Sequence, residues 1–326
     1  MASQYRPLMA ALVTMLGVLP WVRPGMQAAD TTNRSRLGDA PLPSARSPEL
    51  AMKEPTPEDR YLDLLKLCLT RSLFREEVSV AVPNTWWKRW LWRTAGGALA
   101  RRGLMLMRPR SINSDDRQNG REWPPPATAE TMIGLKRLDN LQYCVERALE
   151  ARVPGDLIET GVWRGGAAIF MRAVLAARGD SDRAVWVADS FQGLPKPRAE
   201  DSPDVGDDHW KHSFLAVGLD EVRANFDRYG LLDEQVRFLP GWFSDTLPRA
   251  PIKQLAVLRV DCDMYRSTTE VLCSLYPRVA AGGFVIVDDY GAVPGCRTAV
   301  DEFRAAHAIT EPLEWIDWTG VFWQRR

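Results

Sequence analysis

From residue 156 to the C-terminus, short apolar runs alternate with stretches of helical periodicity, and this alternation constrains the fold more than any other feature. The apolar runs are DLIET, AVWVADS, VRFLP, LAVLRVD and GFVIVDD, then EWIDW and GVFWQ near the end. Between them, GAAIFMRAVLAA, GLDEVRANFDRYG, STTEVLCSLYPRVAA and GCRTAVDEFRAAHA repeat apolar residues at helical spacing. Strands this apolar, separated by helices, form a parallel sheet covered on both faces. The last two runs have no helix between them, which predicts an antiparallel hairpin at the sheet edge. The expected fold class is therefore α/β, a doubly wound, mostly parallel Rossmann-like sheet.

Upstream the pattern changes. Residues 1–30 hold Arg6, the apolar run LMAALVTMLGVLPWV and the small residues QAAD, which resemble a signal peptide. The run is short for a membrane span, which needs about 20 residues, so a disordered extension is the competing reading. The stretch from Ala28 to Arg60 is rich in Pro, Ser and charge and reads as linker. Leu62, Leu65, Leu69 and Leu73 then recur at helical spacing, with Pro57 at the helix start. A basic, Trp-rich segment follows, with Trp86, Trp87, Trp90 and Trp92 and no acid from Val78 to Asn113. It is read as an amphipathic helix packing on the main domain, with a membrane-surface helix or an acidic-carrier docking face as alternatives. SINSDDRQNGREWPPPATAET is a loop long enough to act as a lid, and a helix is expected over Met132–Ala151. The division is an extension over 1–56, a helical lid or dimerisation region over 57–131, and a catalytic domain over 132–326.

Lys plus Arg and Asp plus Glu number 42 each, and this balance speaks against a nucleic-acid binder. The five cysteines form no CxxC pair, and their odd number suits a reducing compartment better than a disulfide framework. The expected location is the cytoplasm, without membrane contact. The signal-like N-terminus keeps export or anchoring as the alternative. An N-terminal arm and exposed aromatics are compatible with a homodimer.

Ligands of an open parallel sheet bind outside the carboxyl ends of its strands. The first run leads through Glu159 and Thr160 to Gly161, with Gly165 and Gly166 opening a helix. This is not the GxGxxG of a dinucleotide fold. It is read either as a cofactor turn or as a tight strand-to-helix turn. Asp189, followed by Ser190, ends the second run, where a carboxylate can accept both ribose hydroxyls of an adenosine. Gly241, Trp242 and Phe243 follow the third and put aromatics where an adenine could stack. Asp261, Asp263, Asp288 and Asp289 follow the fourth and fifth. Four carboxylates at one sheet edge repel each other unless a cation sits among them. A hard divalent ion with oxygen ligands fits, Mg²⁺ first, and no His/Cys cluster supports zinc. Asp288 and Asp289 can share an ion only if their strand has already ended, because successive strand residues face opposite ways.

Taken together, PGDLIETGVWRGGAAIFMRAVLA, VWVADSFQGLP, GWFSDTLP, LRVDCDMYRST and GGFVIVDDYGAVPGCRTAVDEFR closely resemble the macrocin O-methyltransferase family, over roughly Tyr61 to the C-terminus. The resemblance implies a class I methyltransferase sheet and an O-methyltransferase that depends on S-adenosylmethionine and Mg²⁺. Its acceptor would be a small-molecule hydroxyl, a deoxysugar on an antibiotic-type natural product. Carried over by motif, it implies Asp261, Asp288 and Asp289 as metal ligands. The implied cofactor contacts are Glu159, Thr160, Gly161, Asp189, Ser190, Gly241, Trp242 and Phe243. Asp261 is the expected proton acceptor, with His209 and His212 as rivals. The alternatives are a sugar-nucleotide glycosyltransferase using the DxD of Asp261 and Asp263, and methylation of a carrier-bound peptide or polyketide hydroxyl.

Overall fold

The computed structural model describes residues 54–73, 78–80, 107–109, 114–121, 125–126, 128–198 and 202–326. The signal-like run, the linker up to residue 53 and the Trp-rich segment expected as a helix lie outside these residues, except Met107–Pro109 near the end of that segment, which form a strand and not a helix.

Helix α1 (Pro57–Leu69) starts where sequence chemistry dictates. Pro57 occupies the first turn, and Thr56 and Asp59 form a reciprocal capping box. It buries Leu62, Leu65 and Leu69 and ends there, leaving Leu73 exposed. Strands β1 (Val78–Val80) and β2 (Met107–Pro109) form a separate antiparallel pair. A short helix α2 (Ser114–Gln118) interrupts the loop before α3 (Leu135–Glu150).

The alternating region follows as β3 (Asp156–Thr160), α4 (Gly166–Ala177), β4 (Val185–Asp189), α5 (Leu219–Arg228) and β5 (Val236–Pro240). It continues through a single turn α6 (Phe243–Thr246), β6 (Leu255–Val260), α7 (Tyr265–Leu275), β7 (Val279–Val287), α8 (Pro294–Ala306), β8 (Glu314–Trp315) and β9 (Val321–Gln324). The seven strands line up as β5-β4-β3-β6-β7-β9-β8. All pair in parallel except β9, which runs antiparallel to β7 and β8. The doubly wound sheet with its edge hairpin is thus the one the residue pattern predicts.

Strand side chains alternate between two cores. Leu157 and Val257 join the layer of α1, α3, α4 and α5, with Leu138, Phe170 and Phe226. Ile158 and Leu258 join the opposite layer of α7 and α8, with Leu272, Val300 and Trp323. Helix α4 is buried without a break from Gly166 to Leu175, which explains its apolar residues on every side.

Several boundaries shift by a few residues from the sequence reading. The helix expected over Met132–Ala151 spans Leu135–Glu150, and the strand EWIDW shortens to Glu314–Trp315. The largest shift lies between α7 and β7. The expected helix ran through Ala281 with a strand from Gly283, but α7 stops at Leu275 and β7 starts at Val279. Tyr276 keeps helical backbone and Tyr276–Arg278 add one 3-10 turn, but Pro277 has no N–H to extend the α-helical ladder, so the α-helix stops. Val279 then pairs with Leu255, and the register shifts before Val257 meets Phe284. Small residues at 280–283 carry no strong helix or strand signal of their own.

Candidate active site

The strand order reverses at β3, which lies between β4 and β6. In such sheets the crevice at this switch point binds ligands. Just past β3, β4 and β6 stand Trp163, Phe191 and Asp263, three non-glycine residues with φ of 47°, 55° and 56°. Left-handed backbone at such residues is costly and gathers at functional sites. Two adjoining cavities open here. One of about 620 Å³ is lined by Gly161, Asp189, Ser190, Trp242, Phe243 and Asp261, among others. The other, about 220 Å³, is lined by Glu159, His209, Asp261, Asp263, Asp288 and Asp289, with Trp318 and Met132 also in its wall. Asp261, Asp263, Met132, Trp163 and Leu215 border both.

In the larger cavity, Asp189 closes β4. Its carboxylate accepts the Val162 N–H at 2.7 Å and the Phe191 N–H at 2.7 Å. These bonds fix its orientation, and a carboxylate offers about four lone-pair sites, so acceptor capacity remains for a ligand hydroxyl. Burial pushes its pKa up, against those bonds. Ser190 donates to the Gly193 carbonyl at 2.8 Å and shapes the turn below. Trp242 and Phe243 line the wall, whereas Gly241 and Thr160 are outside both cavity linings. Gly241 joins β5 to β4 through its N–H on the Asp189 carbonyl. The Thr160 hydroxyl donates to the Arg259 carbonyl at 3.1 Å and ties β3 to β6. Gly161 has φ 81°, and a Cβ there would stand 1.6 Å from the Asp261 carbonyl oxygen, so only glycine permits this close crossing. A Cβ on Gly166 would meet the Glu130 carbonyl at 2.5 Å, which gives that glycine a packing reason.

The smaller cavity is strongly acidic. β7 ends at Val287, so Asp288 and Asp289 lie in the turn beyond it. The geometric condition for a shared ion is thereby met. One carboxylate oxygen each from Asp261, Asp288 and Asp289 lies within 4.8 Å of the others. Arg259, next to the last residue of β6 and only 1% exposed, organises them. It donates to Glu159 at 2.5 Å, Asp261 at 2.7 Å and Asp288 at 2.5 Å. Arg137 of α3 holds the other Asp288 oxygen and donates to Asp317 at 3.0 Å. Asp289 accepts the Asp263 N–H at 3.2 Å and so secures the left-handed turn.

Carboxylates outnumber these two guanidiniums. Burial and the neighbouring Asp288 charge push Asp261 up to about 6, and burial with Asp261 pushes Asp263 up to about 7. Burial also drives Asp289 well above the carboxylate range, with Asp263 adding to it. Glu159 rises to about 8 by burial, against the pull of Arg259, and its Oε2 is buried without a hydrogen-bond partner. The donor set fits a hard divalent cation: three oxygens of carboxylates, excess negative charge, and no His or Cys among them.

His209 and His212 part company. His209 lines the acidic cavity, and its Nδ1 lies 2.9 Å from Asp207. The ring of His212 stands 6.1 Å from that of His209 and is outside both linings. The sequence reading missed Arg259 and Arg137. Their signal was present: a charge inside an otherwise apolar strand, and an arginine beside Leu138 on the buried face of a helix.

The macrocin-O-methyltransferase (TylF) family matches residues 58–325. The 8-demethyl-8-(2,3-dimethoxy-alpha-L-rhamnosyl)-tetracenomycin-C 4'-O-methyltransferase of Streptomyces olivaceus is 60% identical over 269 residues, 82% of this chain and 92% of that protein. The mycinamicin III 3''-O-methyltransferase of Micromonospora griseorubida is 45% identical, over 84% of this chain and 99% of that protein. Among solved structures, the O-methyltransferase NovP aligns with a TM-score of 0.68 and 47% identity, covering 82% of this chain and 99% of its own.

Proposed function

Since the chain belongs to the macrocin-O-methyltransferase family and is an O-methyltransferase, we propose that it methylates a sugar hydroxyl of a glycosylated natural product, using S-adenosylmethionine and Mg²⁺. The observation that carries this reading is the triad of Asp261, Asp288 and Asp289 at the wall of a cavity beside a larger cleft. The relatives' names support the acceptor class, since the Streptomyces olivaceus enzyme is named for a rhamnosyl substrate. Family membership sets aside the glycosyltransferase reading of the DxD.

When bound, the cofactor supplies an activated methyl group, and the divalent ion supplies a Lewis acid that lowers a hydroxyl's pKa. Asp261, Asp288 and Asp289 would hold the ion. Asp189, Ser190, Gly161, Trp242 and Phe243 would hold the nucleoside, and the unpartnered Glu159 Oε2 would accept from an amino group. The remaining tasks belong to the protein. Arg259 and Arg137 fix the carboxylates in place, which keeps the site preorganised. A carboxylate on the wall shared by the two cavities accepts the hydroxyl proton. Asp261 is one candidate, but Arg259 on its oxygen weakens it as a base. Asp263 carries no hydrogen bond on its carboxylate among the described residues and is the stronger candidate, with His209 lining the same cavity. Gly120, Thr131 and Met132 line the acidic cavity, which supports the expected lid role for residues 111–131.

A panel of 6-deoxyhexose glycosides, incubated with the protein, S-adenosylmethionine and Mg²⁺, tests the proposal. The expected result is a mass gain of one methyl group on the sugar of at least one glycoside. Methylation confined to non-glycosylated or carrier-bound hydroxyls would overturn it.

A further inference from the structure

The edge hairpin places aromatic side chains beside the acidic turn. Val287, the last residue of β7, pairs with Val321 of β9, which pairs with Trp315 of β8. Trp315 therefore stands level with the end of β7, and the hairpin loop 316–320 lies beyond the strand ends, next to Asp288 and Asp289. Gly291 marks the crossing point. A Cβ there would sit 2.3 Å from the Trp318 carbonyl and 3.1 Å from the Trp315 ring. Tyr290, the residue after Asp289, meets Trp315 edge to face at 5.6 Å.

These rings are exposed yet held. Trp315 is 55% and Trp318 40% exposed, among the largest exposed apolar side chains of the described residues. Trp318 also lines the acidic cavity, and its indole N–H donates to the Asn119 carbonyl at 2.7 Å. Arg121 lies 5.6 Å from the Trp318 ring, and the Tyr290 hydroxyl donates to Asp301 at 2.8 Å. A fixed aromatic surface continuous with a polar cavity is the form of a two-part ligand site, in which the polar part orients and the apolar part binds. A contiguous exposed apolar patch marks an interaction site, and its continuity with the acidic cavity makes a ligand the occupant here.

We infer that Trp315, Trp318 and Tyr290 form an aglycone subsite, which selects glycosides whose sugar is attached to a flat, apolar ring system. The inference rests on the reading that the acceptor sugar occupies the acidic cavity. With the reacting hydroxyl among the aspartates, the glycosidic substituent leaves the cavity past Trp318 and lies on the rim. Trp315 is a specificity-determining residue, not a catalytic one.

The test is calorimetric binding of methyl α-L-rhamnoside and p-nitrophenyl α-L-rhamnoside to the full chain with Mg²⁺ and S-adenosylhomocysteine, so that turnover is not needed. The intact protein should bind the aryl glycoside about tenfold more tightly, the scale of a well-made aromatic contact. Trp315→Ala should make the two affinities equal, and Trp315→Phe should keep part of the preference. Equal affinities in the intact protein, an aryl preference that survives Trp315→Ala, or no binding of either glycoside would overturn the inference. So would a Trp315→Ala variant that changes only the sedimenting mass, since that assigns the rim to a contact between copies of the chain. Selective aryl binding without methylation of any glycoside contradicts the sugar-hydroxyl reading and leaves the rim standing. Methylation of both glycosides with equal affinity does the reverse.

Discussion

Arg259 makes the acidic site affordable. It is buried near the carboxyl end of β6 and touches three carboxylates from three neighbouring strand ends. Removing one partner of a buried ionic network leaves uncompensated charge and costs about 3–5 kcal/mol. Arg259→Met should lower the unfolding free energy by that amount in denaturant melts, and a loss under about 1 kcal/mol would contradict the account. Asp289→Asn addresses the ion instead. It should abolish the rise in melting temperature on adding Mg²⁺ while leaving the rise produced by S-adenosylmethionine. An unchanged Mg²⁺ response would remove Asp289 from the ligand set. The aspartates were legible in the sequence because each follows an apolar run, where side chains of an open sheet meet ligands. The arginines were not read, because a pattern of apolar runs treats a lone interior charge as noise, and only the packed sheet shows which carboxylates surround it.

At the scale of elements, the site depends on where strands stop. β7 ends at Val287 and releases both following aspartates into a turn, a condition that the sequence posed and the fold meets. Just past the ends of β3 and β6 the two chains pass in close contact at Gly161 and Asp261, which the missing side chain of Gly161 permits. Gly161→Ala combines a left-handed backbone with a clash against main chain. It should cost about 2–4 kcal/mol in denaturant melts, and an unchanged midpoint would contradict this reading. Most elements could be placed from periodicity alone, α4 to the residue, because its residues from Gly166 to Leu175 are buried and all but Arg172 are apolar or glycine. The α7–β7 junction could not. There Pro277 ends the helix, while alanines and glycines favour neither state, and pairing with β6 decides the outcome.

Across the whole molecule, the two helical layers clamp a sheet whose carboxyl edge concentrates negative charge. No helix among the described residues is long and apolar enough to cross a membrane. The charge at that edge makes stability depend on pH with a defined sign. Glu159 moves from 4.5 to about 8, Asp261 from 3.8 to about 6 and Asp263 from 3.8 to about 7, all upward and all led by burial. In that window the folded state binds more protons than the unfolded one, so stability falls as pH rises. The metal-free protein should therefore lose melting temperature steadily from about pH 4 to about pH 8. Mg²⁺ should restore more of it at the alkaline end, where the carboxylates are ionised. A metal-free melting temperature that rises across the window would contradict the buried, cation-seeking character of the cluster.

The central claim is that this acidic edge is a metal site serving methyl transfer to a sugar hydroxyl. Its most direct test is methyl transfer from S-adenosylmethionine to a glycoside acceptor, followed by mass spectrometry, in metal-stripped protein with EDTA and again after Mg²⁺ is restored. The account predicts no methylated product in EDTA and recovery of product with Mg²⁺. Full turnover by the stripped protein in EDTA would contradict it.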